Sequence, residues 1–116
     1  MSELFHVISL DKATVVELTL PPTLDSDEFD QLNTSLLKLI GDRPDGRWVL
    51  DLSQLSYMGS AALGLMVNLR QQVKDAGGML VLCGMSAKLA GIFRTCCLER
   101  LFTIKGSRDD ALRAVR

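Results

Sequence analysis

The sequence predicts an α/β domain built on a mixed, mostly parallel sheet, and three observations predict it. Two short runs rich in Val, Ile and Leu come first, joined by the short polar segment Asp11-Lys12-Ala13. After them, apolar runs of strand length alternate with segments of helical periodicity. Hydrophobic residues make up 47% of 116 residues, enough for one real core without disulfides or a structural metal. Alternating strands and helices imply right-handed crossovers and parallel pairing, whereas the short first connection implies an antiparallel pair. The expectation is one domain over residues 1–116, with an N-terminal antiparallel strand pair and about four helices.

The elements follow in order. Phe5 to Leu10 and Thr14 to Leu20 read as strands. In the second, Val16, Leu18 and Leu20 point one way and Val15, Glu17 and Thr19 the other. Pro21-Pro22 stops it, because proline has no N–H to give a ladder. Asp25 and Ser26 are both good caps for a first helix, and Asp27 and Glu28 place negative charge where its dipole favours it. Phe29, Leu32, Leu36, Leu37 and Ile40 form its buried stripe, and Gly41 ends it. Trp48 to Leu52 is a continuous apolar strand broken by one acid, Asp51, and suits a central position covered on both faces.

Ser53 to Gly59 is a loop, and Ser60 begins a second helix running to about Ala76, stopped by Gly77-Gly78. Met79 to Cys83 is the next strand. Ser86 caps a third helix with Leu89, Ile92, Phe93 and Cys96 on one face. Leu101 to Ile104 is a last short strand. Ser107 to Asp110 reads as the cap and first turn of a final helix through Val115.

Composition narrows the function. Thirteen basic and fourteen acidic residues give a formal net charge of -1, so no broad attraction to nucleic acid or an anionic membrane is expected. The longest near-apolar run, Ala61 to Val67, is too short to span a bilayer, so no direct membrane insertion is expected. The N-terminus has neither the basic start nor the apolar stretch of a secretory signal. Cys83, Cys96 and Cys97 are an odd set with two adjacent members, a poor disulfide framework. All three are read as small buried hydrophobes in a reducing compartment, the cytoplasm. A serine hydrolase needs a base near its nucleophile, and the one histidine, His6, reads as a half-exposed strand residue. No Cys/His cluster has metal-ligand spacing, and Gly77-Gly78 follows a helix and precedes a strand, the reverse of a phosphate loop. No catalytic residue, cofactor or metal is expected.

The segment from Asp51 to Gly64 stands out, because loops at the carboxyl ends of parallel strands are the usual functional edge. One reading is a partner-binding edge centred on a helix start around Ser60, where backbone N–H groups favour a negative group. The plainer reading makes Ser60 an N-cap and the small residues a close-packing surface, and physics alone prefers it.

This segment resembles the STAS family, the anti-sigma factor antagonists of the SpoIIAA type. That family has a strand ending in Asp-x-Ser, a loop, then Asp-Ser-[Ser/Thr]-Gly-Leu-Gly at a helix start. Asp51-Leu52-Ser53 fits the strand end, and Met58, Ser60, Leu63 and Gly64 fit the helix start. Gly77-Gly78 through Cys83, Ser86 through Phe93, Leu98 through Ile104, and Asp109 through Leu112 are similar to the elements that follow.

The resemblance implies a regulatory protein and not an enzyme. Its partner would be an anti-sigma factor of serine-protein kinase type, bound so that a sigma factor is released. The implied contact set is Asp51, Ser53, Gln54, Tyr57, Met58, Gly59, Ser60 and Ala61. In the family the kinase phosphorylates the second residue of the Ser-[Ser/Thr] pair, the modified antagonist lets go, and a phosphatase resets it. Here that acceptor position is Ala61, the preceding acid is Gly59, and the usual glycine is Ala62. Three readings stay open: a constitutive antagonist, phosphorylation displaced to Ser60, or a STAS domain with another partner. Under the last, it would be a structural subunit of a lipid-transport ABC complex or of a stress-signalling assembly. A homodimer is compatible with the sequence.

Overall fold

A computed structural model of the protein describes residues 4–20 and 25–115. β1 (Phe5–Ser9) and β2 (Thr14–Leu18) form the expected antiparallel hairpin, with Phe5 opposite Leu18 and Ser9 opposite Thr14. The Leu10 N–H donates to the Ala13 carbonyl and closes the turn, so β1 stops one residue early. β2 ends at Leu18, two residues before the expected Leu20, although the Thr19 N–H still reaches the Leu4 carbonyl. The expected stop at Pro21-Pro22 lies outside the described residues.

α1 (Ser26–Gly41) opens on a capping box. The Asp25 carboxylate accepts from the Glu28 N–H at 2.8 Å, and the Glu28 carboxylate accepts from the Asp25 N–H at 3.3 Å. Leu32, Leu36 and Ile40 are buried along its inner stripe. Three parallel strands then follow in chain order: β3 (Arg47–Asp51), β4 (Met79–Cys83) and β5 (Thr103–Lys105). Between them run α2 (Ser60–Asp75) and α3 (Ala87–Thr95), and α4 (Arg108–Val115) closes the chain.

The sheet order is β1-β2-β3-β4-β5, so every crossover steps in the same direction. Right-handed crossovers that step one way put α1, α2 and α3 on one face. Their apolar stripes meet Val16, Leu18, Trp48, Leu50 and Leu82 in the larger core. The opposite face, carrying Val15, Val49, Val81 and Cys83, is covered by Ala111 and Val115 of α4. β3 and β4 are therefore buried on both sides, as their continuous apolar runs require.

Two expectations need correction. The third helix ends at Thr95, and Cys96 is its cap while Cys97 takes a left-handed conformation at φ 59°. The chain swings outward there, leaving Cys96 and Cys97 exposed and only Cys83 buried. The last strand begins at Thr103, not Leu101. The Leu101 N–H closes a turn onto the Leu98 carbonyl, and Phe102 drops into the core edge-on to Phe93 before pairing starts. The other helix starts hold: the Ser86 hydroxyl accepts from the Leu89 N–H, and the Ser107 hydroxyl accepts from the Asp110 N–H.

Candidate functional site

The parallel pairing of β2, β3 and β4 ends side by side at Glu17, Asp51 and Cys83, and the loops leaving β3 and β4 form one edge. The loop after β3 is built from its first residue. The Leu52 N–H still donates to the Cys83 carbonyl, and the Leu55 N–H closes a turn onto the Leu52 carbonyl. Leu52, Leu55 and Met58 point into the core. With those three inside, Ser53, Gln54, Ser56 and Tyr57 are turned outward.

The expected contact residues therefore divide. Gln54, Tyr57, Ser60 and Ala61 share the surface with Ser53, and Gly59 is half-buried. Tyr57 is 52% exposed, and the Lys88 ammonium from the start of α3 lies 6.0 Å from its ring centre. Asp51 and Met58 lie beneath, only 6% and 3% exposed. Ser60 is not the cap of α2. Gly59 holds that position and has no side chain to offer, so Ser60 is the first helical residue and its exposed hydroxyl is not committed to capping.

Asp51 is the charged centre under the loop. Its Oδ1 accepts from the Ser53 N–H at 2.9 Å. Its Oδ2 accepts from Arg108 Nε at 3.1 Å and Nη2 at 2.7 Å. The same Nη2 donates to Glu17 Oε2 at 2.5 Å. Burial alone would raise the Asp51 pKa, but the Ser53 hydrogen bonds and the Arg108 charge outweigh it and hold the carboxyl below its usual range. The bond to Asp51 raises the Arg108 pKa, with Glu17 adding to it. Next to this group, burial and the Asp51 charge push the Cys83 thiol up to about 11, so it stays a neutral thiol and a poor nucleophile.

Gly84 completes the edge with φ +76°, a conformation glycine accepts readily. A Cβ there would stand 3.0 Å from Asp51 Oδ1 and 3.1 Å from the Ser53 amide nitrogen. The chain after β4 is thus seated against the first residue of the β3–α2 loop.

The family model for the STAS domain matches residues 8–111. The chain belongs to the STAS domain family. Among curated STAS relatives, the chain is 29% identical over 93 residues to a Bordetella bronchiseptica protein, BtrV, whose name carries an anti-sigma factor antagonist assignment. That match spans 80% of this chain and 79% of BtrV. Among solved structures, an anti-sigma-factor antagonist STAS domain protein from Planctomyces limnophilus superposes with a TM-score of 0.81 at 19% identity, covering 96% of this chain and 97% of that one. SpoIIAA, the Bacillus cell fate determinant, superposes in its unphosphorylated form with a TM-score of 0.76 at 18% identity, covering 97% and 96%. These likenesses establish the STAS fold, a five-stranded mixed sheet with an antiparallel first pair.

Within this STAS domain, sequence reasoning missed Arg108, Glu17, Gly84 and Lys88 as parts of the edge. Two signals pointed to Arg108. An acid inside an apolar central strand needs a cation or donors. An arginine in the first turn of a helix opposes the helix dipole and needs a reason to be there. Each signal answers the other, across 57 residues.

Proposed function

We propose that this STAS domain is an anti-sigma factor antagonist that binds a serine-kinase-type anti-sigma factor through the exposed rim of the β3–α2 edge, and so releases a sigma factor. The observation that carries this reading is the exposed surface of Gln54, Tyr57, Ser60 and Ala61, set on buried Leu55 and Met58, within the segment that carries the family pattern. Tyr57 supplies a rigid amphipathic anchor of the kind that dominates protein interfaces. The role is binding in the cytoplasm, not turnover. Detectable hydrolysis of a nucleotide by the purified chain would overturn that part.

The antagonist is constitutive, because Ala61 has no hydroxyl where the family carries its phosphate. A phosphate at this helix start would add a charge of roughly -2 to a surface that must be desolvated on docking, and Ala61 removes that release step. One observation favours a second reading: with Gly59 as the cap, the Ser60 hydroxyl is exposed and free to act as a displaced acceptor.

A pull-down with the anti-sigma kinases of the same genome tests the first claim, and a complex with one of them is the expected result. Mass spectrometry after incubation with that kinase and ATP tests the second. An unmodified chain supports the constitutive reading, and phosphate on Ser60 replaces it with the displaced switch. Capture by none of the kinases would sink the assignment and leave a structural STAS subunit as the working alternative.

A further inference from the structure

We infer that Arg108 is a positioning residue for the partner-binding loop, acting through Asp51 to fix the backbone of Ser53 and the start of the exposed rim. The inference rests on the reading of that rim as the docking surface.

The two oxygens of Asp51 have separate jobs. Oδ2 takes both donors from Arg108, at 3.1 Å and 2.7 Å, while Oδ1 takes the Ser53 N–H at 2.9 Å. The Arg108 Nη2 that bonds Asp51 also donates to Glu17. A continuous polar chain therefore runs from the end of β2, over the start of α4, through the end of β3 and into the loop. At Gly84 the lack of a Cβ leaves Asp51 Oδ1 and the Ser53 amide the room they occupy. Arg108 holds the carboxylate by one oxygen and the Ser53 N–H holds it by the other, so it turns toward solvent only by breaking one of these contacts. Without Arg108, a charge that is 6% exposed would be left without its counter-ion, and its best recourse is to rotate toward water and release the Ser53 amide.

Position in the fold separates this role from general packing. Arg108 belongs to the helix on the opposite face of the sheet from α1, α2 and α3, and its hydrogen bonds go to Asp51 and Glu17, beneath the exposed rim. Its path to the rim passes through Asp51 and the Ser53 amide. From Ser53 the turn at Leu52–Leu55 carries the constraint to Leu55, two residues before Tyr57.

Native-state amide exchange, read by NMR on the full chain, tests this without any partner. Arg108→Met should raise exchange at the Ser53 and Leu55 amides about tenfold, the worth of one charge-assisted hydrogen bond, and leave the core amides of α2 from Leu65 to Leu69 within about twofold. Arg108→Lys keeps the charge but offers a single donor point, so it should recover part of the protection. Glu17→Gln leaves the Asp51–Arg108 bonds in place and should leave the loop protected. Affinity for the captured kinase should fall about tenfold in Arg108→Met and less in Arg108→Lys.

Unchanged loop exchange in both Arg108 variants would overturn the inference. So would a rise shared equally by the loop and α2, which would mark global loosening, or a loosened loop with unchanged kinase affinity. Should Arg108→Met fail to fold, Arg108→Lys carries the same comparison. If no kinase binds the wild-type chain, the partner reading falls while the exchange data still decide what Arg108 does to the loop.

Discussion

At the scale of single residues, Asp51 and Tyr57 divide the labour of the edge. Asp51 is an anchor for backbone, and Tyr57 is the anchor for a partner in the proposed docking. Tyr57→Ala should therefore leave unfolding free energy within about 0.5 kcal/mol of wild type while costing about 2 kcal/mol in kinase binding. Titration calorimetry alongside urea melts checks both halves. Asp51→Asn should cost roughly 1–3 kcal/mol of stability, since Arg108 would keep its charge with one fewer counter-ion and about a third of its side chain meets water.

The pH dependence of that loss follows from the folded carboxyl lying below its usual 3.8 while Arg108 stays charged. A depressed carboxyl stabilises the fold above the unfolded pKa and loses that contribution as pH falls through the folded one. The stability gap between wild type and Asp51→Asn should be flat from about pH 5 to 8 and shrink below about pH 4. Urea melts across that range measure it, and a gap that widened in acid would contradict the ion-pair account.

At the scale of elements, the helix starts were the most legible feature and the strand ends the least. Asp25 and Ser86 cap where their side-chain chemistry places them, because a cap is a local bargain between one oxygen and an N–H three residues on. Asp25→Ala should cost about 1 kcal/mol, read as a drop in Tm. Ser60 misled for an instructive reason. A serine beside a glycine at a helix start looks like the cap, yet the extended backbone falls at Gly59, with φ -81° and ψ 176°. The last strand shifted because Phe102, needed against Phe93, is spent on the core before pairing with β4 begins.

Cys96 and Cys97 were assigned to the core from their apolar neighbours. Only the left-handed turn at Cys97 shows that the chain has already left the helix face. Gly84 was invisible in sequence because its constraint comes from Asp51 and Ser53, more than 30 residues away. Gly84→Ala should cost about 1–3 kcal/mol through its positive φ and the crowded Cβ, measurable by the same melts.

At the scale of the whole molecule, the fold class follows from hydrophobic pattern, and the placing of the crossover helices follows from handedness once the strand order is known. Sequential strands and right-handed crossovers put three helices on one face, and the short last helix covers the other. The alternation read from the sequence therefore carried the fold, while the site needed contacts between segments far apart in the chain. Arg108 reaching Asp51 is such a contact, and no local pattern encodes it. The two faces should also differ in tolerance. Phe93→Ala empties the larger core and should cost about 3–5 kcal/mol, with a matching fall in the urea midpoint.

The outward swing at the end of α3 has a practical consequence. Parallel crossovers return each helix to the edge where the next strand starts, so Cys96 and Cys97 follow the far end of α3 from the Lys88 contact with Tyr57. Cys83, buried and neutral, will not compete for a thiol reagent. A fluorophore attached at the adjacent pair would report the tumbling of the whole domain, and its slowing on complex formation, from a handle away from the proposed docking rim.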